Sequence, residues 1–205
     1  MLSELTVAEL LRKTARGTPV PGGGSLSAMA AATGAALTQM VAGLTAGRKQ
    51  FETVTPAMNE LAETARRLRE DLLAAMDRDA EAYTAVMTAF RLPRETTEEK
   101  TRRTDAIQQA TREATRVPLA VAEKALAVMT LAGTAVRLGN PNARSDGAVG
   151  AMLARAALQG ALFNVKINLQ GIQDEAFVTR LRTQATTLDT KARELETAIL
   201  SDINL

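Results

Sequence analysis

Apolar residues recur along this chain at three- and four-residue intervals almost from end to end, which predicts a succession of helices. Thr6 and Glu9 form a capping box for a short first helix reaching about Arg16. A turn from Thr18 to Gly24 follows, and then a central helix ending near Gly47. Leu26, Met29, Thr33, Leu37, Met40, Val41 and Leu44 make its stripe, and Ala30, Ala31, Ala32, Gly34, Ala35 and Ala36 fill most of the remainder. With so few projecting side chains, this helix is expected to be enclosed by others at close range, with Ser25 as its N-cap. Thr55, as cap, and Pro56, at the first helical position, open a long helix to Leu92. Its stripe is Leu61, Ala65, Leu68, Leu72, Met76, Tyr83, Val86 and Phe90. At 1.5 Å per residue such a rod is about 50 Å long, more than a compact domain needs, so part of it is expected to serve a dimer contact.

Leu92-Pro93 stops that helix, and Thr96 with Glu99 makes a second capping box. The stripe Ile107, Ala110, Ala114, Val117, Val121, Ala125, Val128 runs through Pro118, which predicts either a kink or a restart. Gly139 to Asn142 is a turn by composition. Ser145 then caps a helix with Val149, Met152, Leu153, Ala156, Gly160 and Phe163 on its stripe. Asn164 to Leu169 alternates as a strand would, but its place at the end of a helical pattern favours helix. A last helix runs from about Asp174 to Ile199 with Phe177, Leu181, Leu188 and Leu195 inward. All six prolines fall at proposed boundaries or at the one proposed kink. The expected fold is an all-α, multi-helix array forming a single domain over residues 1–205.

Composition narrows the chemistry. The 205 residues include no Cys and no His, so thiol nucleophiles, Ser-His-Asp triads, imidazole acid–base catalysis and the usual zinc sites are out of reach. The lack of Cys is compatible with a reducing cytoplasm. The net charge is +2 with acids and bases interspersed, and one Tyr, four Phe and no Trp leave few stacking platforms, so nucleic acid is not an expected partner. Glu4 and Glu9 interrupt any signal-peptide-like run, and no apolar stretch of membrane-span length lacks polar breaks; a soluble protein without a membrane partner is expected.

Several polar groups stand where the helical pattern calls for something else. Gly22, Gly23 and Gly24 run into Ser25, exposing amides at the positive end of a helix, a place that attracts anions and electron-rich heteroatoms. A tight helix entry alone also explains them, and the spacing matches neither a Walker A loop nor GxGxxG. Asp79 falls on the apolar stripe between Met76 and Tyr83, and Asp77 on the face of Leu73, Ala80 and Met87. A carboxylate buried there has its pKa raised and can act as acid or base, unless a salt bridge to a neighbouring helix uses it. Asn140, Asn142, Arg144, Ser145 and Asp146 crowd one turn and helix start, where plain turn and cap chemistry also accounts for them. Asn164 and Asn168 share a small-residue face with Ala157 and Ala161, which suggests hydrogen bonding across a helix contact. Arg48 and Lys49 follow the central helix, where cations complement its dipole.

Taken in order, PGGGS, GRKQF, DRDAEAY, the LP turn before TTEEKTRR, VPLAVAE, GNPNARSD and NVKINLQGIQDEAF resemble the cyclodeaminase domain of formiminotransferase-cyclodeaminase and its stand-alone bacterial relatives, the methenyltetrahydrofolate cyclohydrolases. The likeness runs from about Leu5 to Ile199; Gly150 stands where Ala is expected. It implies a cytoplasmic all-helical homodimer, with an α-hairpin used for dimerisation, acting on one-carbon tetrahydrofolates with no cofactor beyond the folate and no metal. Under it, Asp79 or Asp77, together with Asp146, are expected as acid/base and cation stabiliser. Asn140, Asn142, Ser145 and Asn164 would orient the pterin or one-carbon group, Gly22 to Ser25 would bind polar edges of the folate, and Arg48 and Lys49 would meet its glutamate carboxylates. The alternative from another class is a non-catalytic helical dimer acting as an interaction module.

Overall fold

The computed structural model describes residues 1–203. Six α-helices follow one another among them: α1 (Val7–Thr14), α2 (Gly23–Thr45), α3 (Thr55–Phe90), α4 (Thr97–Leu138), α5 (Arg144–Leu169) and α6 (Glu175–Ser201). Short 3-10 turns cover Leu2–Glu4, Lys49–Val54 and Pro141–Ala143. Both predicted capping boxes are present, Thr6 with Glu9 and Thr96 with Glu99. The segment Asn164 to Leu169 is helical, and Asp174 caps α6 through Phe177 N–H at 3.0 Å.

The centre of the molecule is α2, packed against α3, α4 and α5. Its inward face differs from the predicted stripe. Ala28, Ala31, Ala32, Ala35, Val41 and Ala42 are buried, whereas Met40 and Leu44 are 41% and 37% exposed. The same inversion occurs on α5, where Ala151, Ala154, Ala157 and Ala161 face inward and Val149, Met152 and Phe163 are exposed. The cause is the closeness of the two helices, which run antiparallel. A Cβ on Gly34 would lie 2.6 Å from Gly150 O, and one on Gly150 would lie 3.1 Å from Gly34 O. Small residues are therefore on the inside, and the glycine at position 150 belongs to that contact.

Among the described residues, three helices are long and apolar enough to cross a membrane by length and composition, Gly23–Thr45 among them, although polar residues such as Ser27, Thr38 and Gln39 interrupt its run. About half of each such window is buried inside the protein, so packing against other helices accounts for that part of its apolar character.

Two boundaries also shift. Neither Ser25 nor Ser145 is a cap: the caps are Gly22 and Ala143, neither with a side-chain bond, and Thr55 lies inside α3 after Val54. Pro118 does not restart α4; the helix runs without interruption for 42 residues, about 63 Å. Beyond Asp79, α3 outruns the core, leaving Tyr83 38% and Phe90 48% exposed. That overhang pairs with the start of α4 as a helical hairpin around an open groove of about 850 Å³ lined largely by alanines and threonines.

Candidate functional site

The glycine-rich entrance to α2 leaves first-turn amides that no side chain of its own cap can satisfy. A neighbouring helix brings a carboxylate against this turn. Asp79 of α3 lies against this first turn, its Oδ2 2.8 Å from Ser25 Oγ, and the same hydroxyl lies 3.1 Å from Met76 O. Gly24 makes the approach possible, because a Cβ there would stand 2.6 Å from Asp79 Cγ and 2.7 Å from Oδ2. Burial pushes the Asp79 carboxyl above the ordinary carboxylate range, and the Ser25 hydroxyl and amide offset only part of that rise. Its hydrogen-bond partner is a serine rather than Lys or Arg, so the salt-bridge explanation of this residue does not apply.

Asp79 opens onto a cavity of about 320 Å³, at the small end of the range for ligand pockets. Pro19, Val20 and Gly22 to Gly24 form one wall, Asp79, Ala82, Tyr83 and Val86 of α3 a second, and Ala114 of α4 with Asn164, Ile167 and Asn168 of α5 the third. Asn164 Nδ2 donates to Gly160 O at 2.9 Å, within α5. Asn168 Nδ2 donates across to Ala114 O of α4 at 2.9 Å, so the expected bond between helices exists for this residue. Of the residues singled out by sequence, the structure thus unites Gly22, Gly23, Gly24, Ser25, Asp79 and Asn164.

The others lie elsewhere on the chain. Asp77 faces the amino terminus: Oδ1 accepts from Leu2 N–H at 2.5 Å and Oδ2 from Ser3 Oγ at 2.6 Å. Burial pushes its carboxyl up, but the Ser3 hydroxyl, the Leu2 and Ser3 amides and the terminal ammonium outweigh this and hold it below the usual range. Such a carboxylate stabilises the fold above its unfolded pKa, and the contribution fades as pH falls through the folded one. Asp77→Asn is expected to cost on the order of 1 kcal/mol at neutral pH and to leave turnover within a few-fold, checked by denaturation alongside steady-state rates.

Arg48, Lys49, Asn140, Asn142, Ser145 and Asp146 sit at the opposite ends of α2 and α5 from Asp79, roughly 25–35 Å away at 1.5 Å of helix per residue. Asn140 is buried and structural: its N–H donates to Thr45 Oγ1 at 2.8 Å, its Nδ2 to Leu44 O at 3.3 Å, and its Oδ1 accepts from Asn142 N–H at 3.1 Å. Asp146 lies in the first turn of α5, where a carboxylate complements the dipole. Ser145 borders a shallow apolar groove with Val149, Met152 and Leu200, and Arg48 and Lys49 border a separate, more polar one with Glu52 and Thr55. Within one chain, therefore, Asp146 does not join Asp79. What the sequence did not offer as site residues are Asn168, Tyr83 and Ala114; the pairing of Asn164 with Asn168 one turn on was the signal for the first.

A family model described as formiminotransferase-cyclodeaminase matches residues 6–187, bearing out the resemblance carried by the motifs. The methenyltetrahydrofolate cyclohydrolase of Methylorubrum extorquens is 39% identical over 177 residues, 86% of this chain and 85% of that one. The formimidoyltransferase-cyclodeaminase of Sus scrofa is 36% identical over 190 residues, 93% of this chain but 35% of that one, so the chain spans about a third of that relative's length. Among solved structures, formiminotetrahydrofolate cyclodeaminase from Thermotoga maritima superposes with a TM-score of 0.90 at 27% identity, covering 98% of this chain and 97% of the other.

Proposed function

Since the chain belongs to the formiminotransferase-cyclodeaminase family, we propose that it is a folate one-carbon enzyme converting 5-formiminotetrahydrofolate to the 5,10-methenyl compound and ammonia. The observation that carries this reading is the raised carboxyl of Asp79, held by Gly24 and Ser25 at the mouth of a small cavity. In the cationic formimino group, the one-carbon unit joins N5 to a terminal NH2. As N10 bonds to that carbon, Asp79 takes the N10 proton and returns it to the terminal nitrogen. The C–N bond then breaks and ammonia departs with all three protons, leaving the positive charge on the methenyl product. A group that must first accept and then donate near neutrality needs a pKa above that of a free carboxylate, which burial supplies. Asp79 as carboxylate also stabilises the cation on both sides of the reaction. The cavity's volume suits the pterin and its one-carbon unit, with the glutamate tail lying outside. The chemistry calls on no cofactor other than the folate, and we place the enzyme in the cytoplasm as a homodimer through the α3–α4 hairpin.

The second reading, methenyltetrahydrofolate cyclohydrolase, is favoured by the Methylorubrum relative, whose whole length this chain nearly matches. There water adds to the methenyl carbon, and opening of the ring gives 10-formyltetrahydrofolate. Absorbance at the methenyl band separates the two. Growth of the band from 5-formiminotetrahydrofolate, with ammonia released, is the expected result. Accelerated loss of the band from the methenyl compound without prior growth would establish the cyclohydrolase instead. Rates no faster than the spontaneous ones, with no shift of melting temperature by folates, would leave a non-catalytic helical module.

A further inference from the structure

A proline within a helix lacks the N–H that its fourth preceding carbonyl would accept. In α4 that proline is Pro118, buried in an uninterrupted helix, and the carbonyl it leaves without a helical donor is that of Ala114. Ala114 borders the Asp79 cavity, and the donor its oxygen receives is Nδ2 of Asn168 on α5 at 2.9 Å. A carbonyl oxygen only accepts, so this bond fixes which way the Asn168 amide faces: nitrogen toward α4, Oδ1 away from it. Asn164, one turn earlier on the same wall, is fixed in the same sense by Gly160 O. Each amide spends one N–H on a backbone carbonyl, and both oxygens are left as acceptors. The lining contains one carboxylate and no Lys or Arg. Its side chains are therefore equipped for a cationic group that carries N–H.

We propose that Asn168 binds the N–H of the substrate's departing nitrogen, and that Pro118 is the positioning residue that holds Asn168 ready. This inference rests on the folate reading above and deepens it. The cationic formimino group offers N–H on its terminal nitrogen, whereas both nitrogens attached to the methenyl carbon lack one. An acceptor set built on Asn168 thus favours the formimino substrate over its product and over the cyclohydrolase's substrate. Restoring a donor at position 118 would let α4 satisfy Ala114 O internally and free the Asn168 amide to turn.

The test is a double-mutant cycle of Asn168→Ala and Pro118→Ala, reading kcat and KM on 5-formiminotetrahydrofolate, Kd for the methenyl compound, and melting temperature. Asn168→Ala is expected to lower kcat/KM about 100-fold, with the methenyl Kd within a few-fold of the parent. Pro118→Ala is expected to lower kcat/KM roughly 10-fold while melting no lower than the parent, since alanine suits a helix interior better than proline. The double variant should be no worse than Asn168→Ala alone, because Pro118 acts through Asn168. Parental activity in Pro118→Ala would overturn the proposal, as would multiplying losses in the cycle or equal weakening toward both folates. Should Asn168→Ala fail to fold, Pro118→Ala carries the test alone. A parent chain that hydrolyses only the methenyl compound would overturn the Asn168 role and keep the folate enzyme. A parent chain inert toward both folates would remove the folate reading and this one with it.

Discussion

Asp79→Asn is expected to lower kcat by ~10²–10⁴-fold while the helical circular dichroism stays at the parental level. Asparagine has nearly the same shape, and its amide oxygen still accepts from Ser25 Oγ, so the contact that fastens α3 to the start of α2 survives. What it lacks is a group that can carry the N10 proton. The stability of the variant provides a second reading. Because burial raises the Asp79 pKa, the folded protein holds a proton there that the unfolded chain has released, over the interval between the two pKa values. Stability conferred by that proton is present at low pH and is lost as pH rises through the folded pKa. The asparagine variant has no such loss, so its melting temperature should gain on the parent's across that interval. A near-normal kcat would reduce Asp79 to a capping group for α2 and remove it from the mechanism.

Gly24→Ala should be almost as damaging, although it adds one methyl group and touches no reacting atom itself. The new Cβ would stand 2.6 Å from Asp79 Cγ, well inside contact distance, so the carboxylate must swing away from the first turn and from Ser25. Misplacement of a reacting group by about 1 Å can cost 10²-fold in rate, and a loss of at least that order is expected in kcat. Stability should change little, since alanine improves helix propensity by about 1 kcal/mol while the lost contact takes back a similar amount. Gly43→Ala is the control: it lies in the same helix, is exposed, and a Cβ there meets nothing within 4 Å. It should raise the melting temperature and keep parental rates. Equal inactivation by both substitutions would mean that α2 tolerates no side chain for general reasons, and that Gly24 has no particular tie to Asp79.

The helices were legible because their stops and starts are written in local chemistry: Thr6 with Glu9, Thr96 with Glu99, Leu92-Pro93 and the Gly139 to Asn142 turn. Which way they face was not. A hydrophobic stripe points inward when helices pack at ordinary distance, but Gly34 against Gly150 brings α2 and α5 so close that alanines occupy the inside and Met40, Val149 and Met152 are turned out. Asp79 stood out because a charge interrupted its stripe, and the structure places it in a cavity. Asp146 carried the same functional group at a helix start, where the dipole already accounted for it, whereas the partner of Asp77, the amino-terminal turn, is visible only in three dimensions. Pro118 read as a kink or a restart because the rule considers one helix alone; a carbonyl satisfied by Asn168 from another helix lies outside it.

The attachment of α2 at both ends bears on how the molecule opens. Helix termini ordinarily fray, exchanging their amide hydrogens at a low free-energy cost. Here Asp79 bonds to the first turn, and at the other end Thr45 Oγ1 and Leu44 O are held by Asn140 from the turn between α4 and α5. Unwinding either end therefore requires a second helix or its connecting turn to let go as well. The glycines at the cavity mouth, flexible in an isolated peptide, are coupled in this way to cooperative unfolding of the whole bundle rather than to local breathing.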